Sequence, residues 1–177
     1  IRPWRDEEWK NWENFVVNEY GIKKDGMDQN HFFLHIIPKV IVLHGFGDPL
    51  LDKKLASRVK MLSKKGIGTY FSCNPSNISV KKNIEMMESG LDYLKYSIDS
   101  IDNVTHKKIR GTASNYTKAY KKIMQTIEEK EKRKLSTNVV ITMIDLQRPT
   151  QMEEWFQLQE VFKGSNVFLN SSIKFFF

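Results

Sequence analysis

The chain has 177 residues, 28 Lys and Arg against 21 Asp and Glu, and a formal net charge of +7. With 40% hydrophobic and 12% aromatic residues it is excluded from the disordered class and is long enough to bury the core of one domain. Its longest apolar run, around 40–43, is far too short to cross a bilayer; no secretory pattern opens the sequence, and a lone cysteine, Cys73, rules out an internal disulfide framework. A cytoplasmic, reducing location without membrane attachment is therefore expected.

Residues 1–37 read as a lead-in and 38–177 as the main unit. Trp4, Trp9, Trp12 and Phe15 sit in a mixed-charge stretch that predicts an amphipathic helix. Residues 15–17 read as a short strand, and 29–37 as a second helix stopping at Pro38. His31 and His35 stand four apart, as on a zinc-binding helix. No Glu follows His31 and no third ligand is evident, so they read as a core or surface pair.

From Pro38 onward, short apolar runs at 40–44, 67–72, 93–97, 139–144 and 167–169 alternate with amphipathic segments. Several runs are apolar without strict alternation, as strands covered on both faces should be. Leu51, Leu55, Val59 and Leu62 form one helical stripe, Ile84, Met87 and Leu91 a second, and Trp155, Leu158 and Phe162 a third. Asp48 before Pro49 predicts a helix start, and Thr150 with Glu153 spells a capping box. Gly66, Gly90 and Gly164 each follow a stripe, where a left-handed C-cap favours glycine. The densest basic run, 118–134, interleaves Glu128, Glu129 and Glu131 with Tyr120, Ile123, Met124 and Ile127. It reads as a solvated helix face over a buried stripe, so a basic nucleic-acid module is not expected.

Strand, helix, strand in repetition predicts an α/β fold with a parallel sheet and functional groups at the carboxyl ends of the strands. One such end reads His44-Gly45-Phe46-Gly47-Asp48-Pro49, where two glycines permit a sharp turn and close backbone approach to a ligand. A second reads Ser72-Cys73-Asn74-Pro75. A third reads Ser97-Ile98-Asp99-Ser100, followed by His106-Lys107-Lys108-Ile109-Arg110-Gly111. Read alone, Gly45 and Gly47 shape a tight turn, Arg110 is an exposed turn arginine, and Asp99 and Asp102 are loop and cap residues. His44 reads as a structural histidine donating to backbone, Cys73 as a small buried filler, and the methionines as core filler.

In this order the set resembles the radical S-adenosylmethionine (radical SAM) superfamily. Phe46-Gly47-Asp48-Pro49 is similar to its Gly-Gly-Glu-Pro signature, with Phe for the first Gly and Asp for Glu. Tyr96-Ser97-Ile98-Asp99 resembles its Ser-Leu-Asp-Gly strand end, with Ser100 for Gly, His106 through Gly111 its His-x-x-Ile-Arg-Gly turn, and Gly26-Met27-Asp28 the lead-in to the helix preceding the signature strand. The resemblance runs from about Gly26 to Gly164 and is closest to peptide- and protein-modifying members, which often carry a C-terminal auxiliary-cluster domain. It implies a partial (β/α)6 barrel with parallel strands, incomplete at both ends. It implies two cofactors, S-adenosylmethionine and a [4Fe–4S] cluster. An electron donor then drives reductive cleavage to a 5′-deoxyadenosyl radical that abstracts hydrogen from a substrate, with a peptide or protein as the substrate class. Carried over residue by residue, the backbone of Phe46, Gly47, Asp48 and Pro49 meets the methionine amino group. Ser97 and Arg110 meet its carboxylate, Ser72 and Asn74 lie near the ribose or methionine, and Asp99 belongs to the same set.

The family's cluster loop, three cysteines spaced CxxxCxxC before Gly26, is absent from these residues. Residues 18–25 read Asn-Glu-Tyr-Gly-Ile-Lys-Lys-Asp, and the sequence assigns no metal ligand. The expectation is an oxidoreductase-type radical SAM core given as an incomplete chain, inactive as it stands. That expectation rests on the abrupt join before Gly26 and on the unfinished, apolar tail at 173–177. The alternative is a non-catalytic S-adenosylmethionine-binding, anion-binding or scaffold βα domain that has lost the cluster.

Overall fold

The computed structural model describes residues 40–45 and 47–171. The lead-in with its expected helices and strand, His31 and His35, the stretch Gly26-Met27-Asp28, Phe46 and the tail at 173–177 lie outside the described residues. Among the described residues five strands form one sheet: β1 (Ile41–Val42), β2 (Thr69–Cys73), β3 (Tyr93–Ser97), β4 (Asn138–Met143) and β5 (Phe168–Ser171). Each neighbouring pair is parallel, and the spatial order is the chain order. The helices are α1 (Leu55–Lys64), α2 (Val80–Glu88), α3 (Asn103–Arg110), α4 (Tyr116–Lys132) and α5 (Gln151–Val161).

Because the order never reverses, crossovers of one hand lay the described helices that link these strands on the same face of the sheet. Period-two alternation then sorts the strand side chains. Phe71, Cys73, Leu94, Tyr96, Val139, Ile141 and Met143 face the helices and share one core with Val59, Ile84, Ile123, Trp155 and Leu158. On the opposite face Tyr70, Tyr93 and Val140 pack with Val40. Both faces are thus apolar at the level of the core, which explains runs without clean alternation. Nearer the carboxyl ends the second face turns polar, and register sets Ser72 beside Lys95 and Ser97 beside Thr142. A helix-free polar face at the carboxyl edge is the inner wall of a partial (β/α) barrel.

The helix signals hold in part. Gly66, Gly90 and Gly164 take φ of 71°, 93° and 80° where their helices end, as the C-cap reading requires. Asp48 Oδ1 accepts from the Leu50 amide at 2.9 Å, but it starts a single 3-10 turn, Pro49–Leu51. Leu51 is 70% exposed, so the first stripe begins only at Leu55. The expected capping box does not form. Thr150 makes no cap bond; its hydroxyl donates to Glu154 Oε1 at 3.0 Å, because Arg148 fixes that carboxylate one residue beyond the exposed Glu153. Along α4, Ala119, Ile123 and Ile127 are buried and most of the charge faces solvent, as the periodicity predicts.

Candidate functional site

β1 is short because its neighbour's ladder is completed by a side chain. The Leu43 amide donates to the Tyr70 carbonyl at 2.8 Å, but the next β2 donor, the Ser72 amide, is taken by His44 Nδ1 at 3.1 Å. The sequence reading had this histidine donating to backbone; it accepts instead. An N–H pointing at Nδ1 requires a neutral ring with its proton on Nε2. Burial, aided by the Lys95 charge, lowers the His44 pKa to about 4, in agreement with that tautomer. The backbone is thereby freed from the sheet at His44 and turns through Gly45 and Gly47. Gly47 has φ +107°, and the position of a would-be Cβ has nothing within 4 Å. Here glycine is needed for conformation, while the space beside it stays open.

Asp48 closes this turn against the next strand end. Besides capping its own turn, its Oδ2 accepts from Asn77 Nδ2 at 2.9 Å and from the Asn74 amide at 3.3 Å. Asn74 in turn caps the Pro75–Asn77 turn, accepting from the Ser76 amide at 3.0 Å. The loops after β1 and β2 are therefore tied together by one carboxylate. Beside them the hydroxyls of Ser72 and Ser97 lie 3.2 Å apart, across the gap between β2 and β3. Lys95 projects from the same face as Ser97, and its ammonium lies 5.9 Å from the centre of the Tyr70 ring. Burial and the neighbouring Arg110 lower the Lys95 pKa, with Asp99 opposing.

These groups enclose a cavity of about 470 Å³, within the range of small-molecule sites. Its wall includes Gly47, Asp48, Ser72, Asn74, Ser97 and Arg110, brought from four separate segments of the chain. Pro49 is buried behind the turn, and Asp99 is 2% exposed and outside the wall. Arg110 is the last residue of α3, held where Gly111 ends the helix, rather than an exposed turn arginine. Its guanidinium Nη2 pairs with Asp99 Oδ2. The free positive fork expected of Arg110 is thus already partly engaged, because a buried carboxylate must have a cation beside it. Asp99 Oδ1 accepts from the Ile144 amide at 3.2 Å, and its carbonyl accepts from Arg148 Nη2 at 2.7 Å. Arg148 also pairs with Glu154, which takes the Ile101 amide at 3.1 Å. Burial pulls the Glu154 pKa up, but bonds from Arg148, Ser100, Ile101 and Thr150 leave it lowered overall. Asp102 is the cap of α3, accepting from the Thr105 amide at 2.7 Å, as read from sequence.

The sequence reading missed Lys95, His44 and Asn77 as wall residues. Lys95 was legible: in Tyr93-Leu94-Lys95-Tyr96-Ser97 it shares the period-two face of Ser97, and a cation within such a run asks for a reason. Asn77 carried no local signal, since only the fold brings it to Asp48.

The residues present fit one of the family's two cofactors. The open space at Gly47, the hydroxyl pair and the two cations suit the zwitterionic methionine half of S-adenosylmethionine. An iron-sulfur cluster is not suited. Cys73 is the lone cysteine of the sequence; it borders the cavity but is 2% exposed and packed in the helix-side core. Burial first, and the Asp48 charge second, raise its thiol pKa well above the ordinary value, away from the thiolate that iron needs. Among the described residues no three His, Cys, Asp or Glu side chains are grouped to hold a metal ion.

The chain is similar in fold to TYW1 solved with a lysine-pyruvate adduct bound, at TM-score 0.55 and 16% identity, covering 96% of this chain and 53% of that one. Archaeal TYW1 gives TM-score 0.52 and 14% identity, covering 92% and 54%. A domain of pyruvate-formate lyase-activating enzyme from Bacteroides vulgatus ATCC 8482 gives TM-score 0.50 and 14% identity, covering 76% and 99%. The chain therefore spans about half the length of the TYW1 chains it matches. No curated protein sequence matches it. The sequence model of the radical SAM superfamily matches residues 32–158, which hold β1 to β4 and all the wall residues of the cavity, and on that match the chain belongs to the radical SAM superfamily.

Proposed function

We propose that the cavity binds S-adenosylmethionine by its methionine half, making this domain the cofactor-holding core of a radical SAM enzyme. The observation that carries this reading is convergence. The Gly47-Asp48 turn, Ser97 and Arg110 are matched separately to family motifs far apart in the chain, and they line one cavity. In this reading the backbone carbonyls of the Gly47-Asp48 turn face the ligand's ammonium end. Ser97, Lys95 and Arg110 face its carboxylate, and neutral His44 has its Nε2–H left to donate. When bound, S-adenosylmethionine supplies a sulfonium whose carbon–sulfur bond is the source of hydrogen-abstracting chemistry. A peptide or protein remains the proposed substrate class, on the strength of the motif set.

Calorimetric titration of the full chain with S-adenosylmethionine tests the site. Lys95→Met and Arg110→Lys each remove or misplace a charged donor, and each is expected to weaken binding roughly 3- to 30-fold. Lys108→Ala, on the exposed side of α3, is expected to change it less than about twofold. Equal losses in all three point to general electrostatics and sink the shaped site. A second reading, a binding domain without redox chemistry of its own, is favoured by one observation: the lone cysteine of the sequence, Cys73, is 2% exposed.

A further inference from the structure

We infer that Asp99 is a positioning residue that sets how strongly the cavity holds a carboxylate, by sharing Arg110 with it. The inference rests on the site proposed above. Two ion pairs meet at Asp99 between the cavity wall and the body of the domain: Arg110 pairs with the Asp99 carboxylate, and Arg148, paired with Glu154, donates to the Asp99 main-chain carbonyl. Asp99 is the link between the wall and the rest, and it is held from three directions. Its Oδ2 meets Arg110, its Oδ1 takes the Ile144 amide at 3.2 Å, and its carbonyl takes Arg148 Nη2 at 2.7 Å. A carboxylate so placed cannot swing aside, so it stays beside Arg110 whether or not a ligand is bound.

The guanidinium is not fully spent by this. Arg110 Nε is buried and has no partner, although the side chain as a whole is 23% exposed and borders the cavity. An unpartnered buried N–H is costly, and a ligand carboxylate arriving beside Asp99 relieves that cost. It does so against the repulsion of the Asp99 charge. Asp99 thus acts on the ligand through Arg110: it locates the guanidinium and at the same time subtracts from its attraction. A site built this way releases an acidic ligand more readily than a bare arginine does.

The test is Asp99→Asn, which keeps the acceptor for the Ile144 amide and removes the charge. Titration of the full chain with S-adenosylmethionine is expected to show affinity raised roughly 5- to 10-fold by the substitution, the change expected when a nearby like charge is removed in a partly screened site. Decarboxylated S-adenosylmethionine, which lacks the carboxylate, is expected to bind both proteins alike. The thermal midpoint is expected to fall, because Arg110 loses its counter-ion. A residue with a merely structural role gives lower stability and weaker binding together, not opposite signs. In Asp99→Asn/Arg110→Ala the gain is expected to vanish. Inorganic sulfate provides an arm independent of the proposed ligand: it is expected to raise the thermal midpoint of Asp99→Asn more than that of the wild type, and not to do so once Arg110 is gone. Sulfate response without S-adenosylmethionine binding overturns the proposed function and leaves this inference standing. Absence of a sulfate response in Asp99→Asn, or a gain in affinity that survives loss of Arg110, overturns the inference itself.

Discussion

At the residue scale His44 ties stability to pH. Its ring must be neutral to accept the Ser72 amide, and its pKa is lowered from 6.5 to about 4. The unfolded chain therefore binds more protons than the folded one between those values, and stability rises with pH across that window. The contribution is complete above about 6.5 and is lost as pH falls toward 4. Because the ring is half-buried, solvent screens part of it. Urea unfolding of the wild type and of His44→Gln at pH 5 and pH 7 is the measurement. A smaller pH dependence is expected in the variant, and equal slopes in the two proteins remove His44 from the account.

At the element scale the weakest join is between β1 and β2, with just two register pairs. It is set by a close approach: the Ile41 amide donates to the Gly68 carbonyl at 2.8 Å, and a Cβ on Gly68 would come within 2.8 Å of Val40 Cγ1. Gly68→Ala must move Val40, a stiff β-branched side chain in a buried cluster, and is expected to cost about 1–3 kcal/mol in chemical denaturation. Loss of S-adenosylmethionine affinity should accompany it, since β1 carries the turn at Gly47. Elements of this kind explain how far the sequence could be read. Strands β2 to β5 and the helix ends at Gly66, Gly90 and Gly164 are local signals, apolar runs and glycines, and they were legible. The Thr150 cap was misread because a distant-in-space partner, Glu154 clamped by Arg148, outbids the local amide. The state of Arg110 was misread for the same reason. Its motif names the residue, but its ion pair with Asp99 depends on where β3 and α3 are placed by the rest of the fold.

At the scale of the whole molecule the parallel sheet divides the chain's chemistry in two. The larger core lies on the helix side and holds Cys73, which also borders the cavity, while the polar side chains that can meet a small ligand gather at the carboxyl edge of the other face. That division bears on iron. A [4Fe–4S] cluster needs about three thiolates on one side of a site, and these 177 residues hold one sulfhydryl, which is 2% exposed. The chain reconstituted anaerobically with iron and sulfide, then desalted, is expected to retain far less than one cluster per chain by iron analysis and by its visible and electron paramagnetic resonance spectra. Cys73→Ser is expected to leave that residue of iron unchanged, because the buried thiol takes no part in holding it, and to cost stability modestly through the polar hydroxyl placed in the core. A stoichiometric cluster that disappears in Cys73→Ser would show that the helix-side core opens to admit iron. One that persists in the variant would show that oxygen or nitrogen ligands hold it. Either result overturns the conclusion that the residues of this chain do not suit an iron-sulfur cluster. With that result the proposed S-adenosylmethionine site rests on this chain's wall residues alone, and affinity is then expected to answer directly to Lys95 and Arg110, and to Asp99 through Arg110.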